Sequence, residues 1–141
     1  MVLVDTSIWS LALRRRAEDL NPTERRWVTE WAAVVRAGQV QIIGPIRQEI
    51  LSGVRDHSHF SRLETRLSAF RDVPVESSDY VEAARFFNAC RRRGVTGAPT
   101  DLLICAVARR FGWPIFSCDH DFENYASLLP VRLHLAMTPL S

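Results

Sequence analysis

The segment PTDLLICAVARRFGWPIFSCD, residues 99–119, contains the strongest structural signals in this sequence. It begins with proline and threonine and continues with mostly apolar residues, which predicts a helix that runs to about Phe111. Gly112 predicts the end of that helix. Residues 114–118 then predict a buried β-strand, and Asp119 follows at once. A helix that leads directly into a buried strand is typical of an α/β fold.

The rest of the chain continues the same alternation on the N-terminal and C-terminal sides. Further strands are predicted at Val2–Val4 and at residues 40–43, 73–75 and 131–135. Between them, helix-start residues and the helical spacing of apolar residues predict helices, and glycines predict helix ends. The predicted helices begin at Asn21, at Pro45, near Phe60, at a cap pair of Asp79 and Glu82, and after Asp121; the one near Phe60 runs to residue 70. The glycines that predict helix ends are Gly38, Gly53 and Gly94.

Alternating strands and helices predict a three-layer α/β/α sandwich, in which helices cover both faces of a mostly parallel central sheet. The chain has 141 residues, of which 47% are hydrophobic and 24% are charged. These values predict one soluble domain over residues 1–141. In such a fold the functional site lies at the carboxyl ends of the strands.

The composition excludes several classes of protein. All 18 basic residues are arginine, and the absence of lysine excludes a P-loop nucleotidase, a protein kinase and Schiff-base catalysis. Cys90, Cys105 and Cys118 form no C-x-x-C pair, so neither a disulfide framework nor a zinc site is expected. The longest apolar run has seven residues, and the N-terminus has no basic signal-peptide region. We therefore expect a cytoplasmic protein without membrane association.

Five acidic residues lie near the edge of the sheet where a functional site is expected. Asp5 directly follows the first predicted strand, and Asp119 and Asp121 follow a later one. Glu49 lies on the second turn of the helix after the second predicted strand. Asp101 lies in the first turn of an otherwise apolar helix. In a parallel sheet these four segments converge on one edge.

Carboxylates gathered in this way repel one another, and a bound divalent cation relieves the repulsion. Mg²⁺ fits best, with Mn²⁺ as a substitute, because both ions prefer oxygen ligands and keep several waters. Such an ion activates a water or stabilises the attacking and leaving oxygens of a phosphodiester. Without the five acids, 11 acidic residues remain against 18 arginines, so the rest of the chain carries a formal charge of +7. A basic body around an acidic site favours a nuclease.

Each of these acids also has an ordinary structural interpretation. Asp5 can cap the helix that follows it, and Asp101 in a first turn favours the helix dipole. Glu49 can be a solvated surface acid, and Asp119 and Asp121 can belong to a polar loop. The functional interpretation depends on the shared edge of the sheet rather than on any single residue.

Four short motifs, in order and at typical spacing, resemble the PIN-domain family over essentially the whole chain. They are Val-Asp-Thr-Ser at 4–7, Glu49 followed by Leu51 and Gly53, Thr-Asp-Leu-Leu-Ile at 100–104, and Ser-Cys-Asp-His-Asp-Phe at 117–122. Within the family, the sequence is most similar to the VapC-type toxin ribonucleases of bacterial type II toxin–antitoxin pairs. The family pattern requires no lysine, so the lysine-free composition does not affect the resemblance.

The resemblance implies an endoribonuclease that hydrolyses RNA phosphodiester bonds with Mg²⁺ or Mn²⁺. It also implies a homodimer and a small cognate antitoxin whose tail covers the site. The family's catalytic quartet of acids corresponds to Asp5, Glu49, Asp101 and Asp119. Its metal ligands correspond to Asp5, Asp101 and Asp119, with Asp121 matching an auxiliary acid that varies in the family. Hydroxyl groups that orient the acids or a metal-bound water correspond to Thr6 or Ser7, and to Ser117.

Arginine clusters and one histidine are candidates for RNA contacts. Arg14, Arg15, Arg91 and Arg92 lie near the ends of predicted helices, where the helix dipole alone favours positive charge. The clusters hold more arginines than the dipoles require, which favours contacts with phosphates. His120 lies between two of the proposed site acids and is a candidate for a substrate contact.

Besides the ribonuclease, the sequence leaves two other functions open and excludes a third. A catalytically weak PIN scaffold that binds antitoxin or RNA stays open, as does a PIN nuclease of RNA processing outside toxin–antitoxin systems. A haloacid-dehalogenase-type phosphohydrolase is excluded, because that family needs a second aspartate where Ser7 stands and a distal lysine.

Overall fold

The computed structural model describes residues 1–134. Three short strands form a parallel sheet in the order β2-β1-β3: β1 (Val2–Val4), β2 (Val40–Gln41) and β3 (Ile115–Phe116). All three residues of the central strand β1 are buried. A central strand that is buried on both sides requires cover on both faces of the sheet.

Seven α-helices provide this cover in the described part of the chain. They are α1 (Thr6–Trp9), α2 (Pro22–Arg36), α3 (Gly44–Leu51), α4 (His57–Leu67), α5 (Ser77–Arg92), α6 (Pro99–Phe111) and α7 (Asp121–Leu128). α5 packs along α6 and contacts α7, whereas α1 contacts α2 and α3, and α3 contacts α4. The predicted α/β sandwich with a parallel sheet is confirmed. None of the helices described is long and apolar enough to cross a membrane.

The predicted start of α2 is confirmed by a reciprocal cap. Asn21 Oδ1 accepts a hydrogen bond from the Glu24 N–H at 2.8 Å, and the Asn21 N–H donates to Glu24 Oε1 at 3.0 Å. The predicted start of α5 is wrong. Glu76 is the N-cap, and the carboxylate of Asp79, three residues later, accepts from the Glu76 N–H at 2.9 Å. The chain therefore uses Asp79 as the distal partner of a capping pair rather than as the cap.

Local interactions also fix the start of α4 and the end of α6. α4 begins at His57, earlier than predicted, because the Asp56 carboxylate accepts from the Ser58 N–H at 3.1 Å and caps it there. α6 ends at Gly112 as predicted, and this residue has the left-handed φ of +69° that glycine adopts without strain.

The predicted strands are shorter in the structure. Val40 and Gln41 pair with β1, but Ile42 forms only an isolated bridge with Asp72, because Gly44 already begins the next helix. The strand predicted at 114–118 pairs only at Ile115–Phe116.

The strand predicted at 73–75 is wrong. The Val73 N–H donates to the Ile42 carbonyl at 2.8 Å, but Pro74 has no N–H with which to continue the ladder. Of the strand predicted at 131–135, Leu133 forms one bridge with Ile115, and Leu135 lies outside the described residues.

The core gathers around α6, where every residue from 102 to 108 is buried. Asp101 precedes this run, so its carboxylate lies at the boundary between core and solvent. On the far side of α6, Arg110 donates from Nε and Nη2 to the two carboxylate oxygens of Asp79, both at 2.8 Å. This bidentate ion pair joins α5 to α6.

Candidate metal centre and active site

Asp5 lies at the carboxyl end of β1, and only 4% of the residue is exposed. Its Oδ2 accepts hydrogen bonds from the hydroxyls of Ser7 at 2.7 Å and Ser117 at 2.8 Å, and from the Ser7 N–H at 3.3 Å. Asp5 thus caps α1 as well. These three hydrogen bonds all reach the same carboxylate oxygen, Oδ2. Burial raises the pKa of Asp5, and these hydrogen bonds oppose the shift only in part.

Ser7 and Ser117 connect Asp5 to the loop after β3. Their hydroxyl oxygens lie 3.3 Å apart. Ser7 Oγ accepts from the Cys118 N–H at 3.1 Å, and Ser117 Oγ accepts from the Asp119 N–H at 3.0 Å. Of the alternatives at positions 6 and 7, Ser7 is the hydroxyl that contacts Asp5. Both serines therefore hold one oxygen of Asp5 and position the loop that carries the next acid.

Asp101, Asp119 and Asp121 form the tightest acidic group of residues 1–134. One carboxylate oxygen from each lies within 4.8 Å of the other two. Asp119 Oδ1 also accepts from the Asp121 N–H at 2.9 Å, which fixes the turn into α7. Three carboxylate oxygens at this spacing are suitable ligands for a hard divalent cation.

Tyr125 positions Asp101, and the sequence analysis missed it. The Tyr125 hydroxyl donates to Asp101 Oδ2 at 2.9 Å and accepts from the Ala98 N–H at 3.4 Å. Burial and the charge of Asp101 raise the pKa of this phenol, so it stays a proton donor. The available signal was its spacing of four residues after Asp121, which puts both on one face of α7.

The acids strongly influence one another. Burial is the main cause that raises the pKa of Asp101 to about 7, and the charges of Asp5, Asp119 and Glu49 add to it. The hydrogen bond from Tyr125 opposes this shift only in part. These interactions join acids from four separate segments into one electrostatic group, as the strand-edge argument predicts.

Glu49 lies on α3 at the exposed side of this group. Burial and the charge of Asp5 raise its pKa, and the nearby Thr6 hydroxyl opposes the shift. Thr6 Oγ1 is itself buried, and no partner among the described residues lies within hydrogen-bond geometry. Glu49 therefore belongs to the site electrostatically, although it lies outside the tight group of three acids.

In the part of the chain that the structure describes, no positive side chain forms an ion pair with these five acids. Within residues 1–134, no arginine or histidine nitrogen lies within 4.0 Å of a carboxylate oxygen of Asp5, Glu49, Asp101, Asp119 or Asp121. An all-oxygen donor set that carries negative charge without an internal counter-charge fits a divalent cation.

The candidate RNA contacts lie in separate places. Arg14 and Arg15 line an open groove beside α4, whereas Arg91 and Arg92 lie beside Asn88 at the end of α5. The side chain of His120 is 90% exposed, and its Nδ1 lies 3.5 Å from Glu123 Oε2. In the described structure none of these residues forms an ion pair with the site acids.

The sequence and the fold were compared with known proteins. The family model of the PIN domain matches residues 2–128. The chain belongs to the PIN domain family. The VapC ribonuclease Mb1587 of Mycobacterium bovis is 33% identical over 130 residues, which cover 91% of this chain and 93% of that protein. Ribonuclease VapC11 of Mycobacterium tuberculosis shows the same identity and coverage.

Solved structures share the PIN fold at lower identity. FitAcB from Neisseria gonorrhoeae has a TM-score of 0.72 and 19% identity, and the match covers 94% of this chain and 96% of that chain. VapBC2 from Rickettsia felis, bound to a DNA fragment from their promoter, has a TM-score of 0.73 and 13% identity. That match covers 95% of this chain and 98% of the other.

Proposed function

We propose that this PIN protein is a metal-dependent endoribonuclease of the VapC type, the toxin of a type II toxin–antitoxin pair in the cytoplasm. The observation that carries the proposal is the group of carboxylates from four segments without an internal counter-charge. Relatives at 33% identity that are named VapC ribonucleases support RNA as the substrate.

The proposed metal ligands are Asp5, Asp101, Asp119 and Asp121, with Glu49 acting directly or through a water. When bound, Mg²⁺ or its substitute Mn²⁺ supplies an activated water and stabilises the charge that develops on the phosphodiester oxygens. Asp5 offers Oδ1, because Ser7 and Ser117 occupy Oδ2. These hydroxyls support the acid much as outer hydrogen bonds support ligands in other metal sites.

Asp101 links ion binding to a proton. With a pKa of about 7, its carboxylate holds a proton in part of the molecules at neutral pH, and ligation requires that proton to leave. Tyr125 donates to Oδ2 and keeps the carboxylate in one orientation while the proton is lost. The five acids, with the hydroxyls of Ser7 and Ser117, would thus bind and orient the cation that holds an RNA phosphate.

A small cognate antitoxin that covers the site and a homodimer of this chain are part of the proposal. Two solved structures of the same fold, from Rickettsia felis and Salmonella typhimurium, are named as VapBC bound to DNA. A paired protein that neutralises the site is consistent with those complexes.

Cleavage of labelled total RNA by purified, antitoxin-free protein tests the proposal. Reactions contain Mg²⁺, Mn²⁺ or a chelator, and they compare the wild type with Asp101→Asn. We expect cutting that depends on the metal and falls about 1,000-fold in the variant, because one ligand to the developing charge is lost. Glu64→Gln, which removes an exposed acid from α4, is the matched control and should cut normally.

The same experiment separates the alternatives. A folded protein that neither cuts RNA nor binds Mn²⁺ would replace the ribonuclease with the weak binding scaffold, whereas Mn²⁺ binding without cutting would indicate a specific target that is absent from that RNA. Equal cutting by wild type and Asp101→Asn would remove Asp101 from the site. A target in RNA processing, with no antitoxin that inhibits the cut, would favour a nuclease outside toxin–antitoxin systems.

A further inference from the structure

A second charged feature is an open groove of about 460 Å³ between α4 and the segment that follows α1. None of the five site acids lines it. Its walls carry Arg14, Arg15, Arg16, Arg62 and Arg66, and we call it the basic groove. It holds five of the chain's 18 arginines in one place.

One wall of the basic groove is a single face of α4. His59, Arg62, Leu63 and Arg66 are spaced by three and four residues, so they lie on the same side of the helix. Leu63 is buried and anchors that face to the core, while both arginines are exposed. The helix therefore presents two guanidinium groups and an imidazole along one edge.

The opposite wall begins where α1 ends. The helix continues as a π-helical turn, Ser10–Arg14, a rare conformation that often occurs at functional sites. Arg15 and Arg16 then leave the helix in an extended conformation, with φ of −95° and −78°. The buried Leu13 holds this segment against the core. Only Arg14 lies in a last helical turn, so the helix dipole does not account for the other two.

The positive charge of the groove is largely uncompensated. Arg15 lies 3.8 Å from Glu24 Oε2 across an exposed contact. Within residues 1–134, the other four arginines have no carboxylate within 4.0 Å. Residues 135–141 contain no aspartate or glutamate.

The single acid that lines the groove already has a structural role. Asp56 caps α4 by accepting from the Ser58 N–H at 3.1 Å. Arg62 and Arg66 lie four residues apart on the helix, where like charges destabilise it. A polyanion in the groove removes this repulsion, and planar guanidinium groups match the oxygens of phosphates.

We propose that the basic groove binds the phosphate backbone of the RNA substrate, away from the bond that is cut. This inference rests on the proposed ribonuclease function. α1 and its π-helical turn lead from the acidic site to Arg14 over about 13 Å, at 1.5 Å per residue. That distance corresponds to about four stacked nucleotides. A strand of about four nucleotides is therefore long enough to cover this distance.

RNA fits the groove better than an acidic peptide does. Peptide recognition depends on apolar anchors in pockets, and among residues 1–134 the only aliphatic side chains that line this groove are the buried Leu13 and Leu63. A polynucleotide needs cations along its backbone, and the two walls supply five arginines.

Binding of a fluorescein-labelled, single-stranded 20-nucleotide RNA, measured by anisotropy in chelator, tests the groove without cleavage. We expect Arg62→Gln/Arg66→Gln to weaken binding about tenfold and to reduce the salt slope by about 1.4, which is two phosphate contacts. Arg91→Gln/Arg92→Gln removes the same charge from α5 and should have a smaller effect. Arg62→Lys/Arg66→Lys should keep most of the slope, and equal unfolding temperatures exclude misfolding.

Cleavage separates this inference from the proposed function. On the 20-nucleotide RNA we expect Arg62→Gln/Arg66→Gln to raise KM and to leave kcat unchanged. A trinucleotide is too short to reach the basic groove, so on that substrate we expect the variant to change neither constant. Equal weakening by both glutamine pairs, or unchanged binding, would overturn the inference even if the wild type cuts RNA. Tighter binding of a polyglutamate peptide than of RNA, lost in Arg62→Gln/Arg66→Gln, would also overturn it. If the wild type shows no metal-dependent cutting but its RNA binding still depends on the basic groove, the proposed ribonuclease function would be contradicted and the groove inference would stand.

Discussion

Asp79 and Asp5 are both buried acids, with 2% and 4% of the residue exposed, but their surroundings differ. Burial acts to raise the pKa of Asp79, yet the bidentate hydrogen bonds and charge of Arg110, with the Glu76 N–H, outweigh it and hold the pKa below its usual value. Around Asp5 only neutral hydroxyls and N–H groups donate, and burial keeps its pKa raised.

We propose that this difference separates a structural carboxylate from a functional one. Asp79 joins α5 to α6, and Arg110 of the same chain supplies the positive charge that pairs with it. At the edge of the sheet, five acids gather and no arginine is within 4.0 Å in the described residues. Under the proposed function, an ion from solution supplies the missing positive charge. The same fold therefore contains an acid that is paired with an arginine and a group of acids that is not.

Breaking the structural pair should have the largest effect on stability. Asp79→Asn leaves Arg110 without its main partner, with a weaker contact to Glu76 at 3.6 Å. We expect the free energy of unfolding in urea to fall by about 3 kcal/mol, because the buried Asp79 side chain loses its charge-assisted hydrogen bonds to Arg110, whose own side chain stays partly exposed. Metal-dependent cutting at low temperature should persist. The double variant Asp79→Leu/Arg110→Met removes both charges and should recover most of the stability. A loss of less than about 1 kcal/mol in Asp79→Asn would contradict a structural role for the pair.

The pH dependence of the metal-free protein sharpens the comparison. Because the folded-state pKa of Asp101 is raised to about 7, the folded state binds more protons than the unfolded state between pH 4 and 7. Its contribution to stability therefore falls as the pH rises through that window. Asp79 has a lowered pKa, so its contribution is instead lost as the pH falls below the usual range.

Asp101→Asn should accordingly stabilise the metal-free protein at pH 8 and have no effect at pH 4. We expect a gain of about 2 kcal/mol at pH 8, roughly half of the full shift, because Asp101 is only half-buried. Urea unfolding in chelator at both pH values measures it. A variant that is less stable than the wild type at pH 8 would contradict the unfavourable burial and charge repulsion at Asp101.

A smaller effect is expected at the hydroxyls that hold Asp5. Ser117→Ala removes a donor to Asp5 Oδ2 and an acceptor for the Asp119 N–H. We predict a loss of about 1 kcal/mol in stability and about tenfold in Mn²⁺ affinity. Ser127→Ala, whose hydroxyl bonds only the local Asn124 carbonyl, is the control for the same chemical change. Unaltered Mn²⁺ affinity in Ser117→Ala would show that Asp5 needs no such support.

The sequence predicts the group of acids because a simple topological rule applies. Asp5 and Asp119 each follow a strand, and parallel strands bring those ends together whatever the exact strand lengths. The strand lengths themselves were overestimated at residues 40–43 and 114–118. Apolar runs indicate burial, but hydrogen-bond partners decide where a ladder ends, and Pro74 ends one of them.

Contacts between distant side chains were not predictable in the same way. Tyr125 reaches Asp101 from 24 residues away, and Arg110 reaches Asp79 from 31 residues away. Nothing in local spacing or propensity indicates which arginine pairs with which acid. The distinction between the paired Asp79 and the unpaired site acids therefore emerges only from the folded structure.

The most direct test of the central claim is calorimetric titration of the metal-free protein with Mn²⁺. The account predicts a site in the wild type that Asp5→Asn weakens at least tenfold and that Asp79→Asn, kept below its unfolding temperature, leaves unchanged. Binding that is equal in the wild type and Asp5→Asn, or no binding by the folded wild type, would contradict the claim that these uncompensated acids hold a cation.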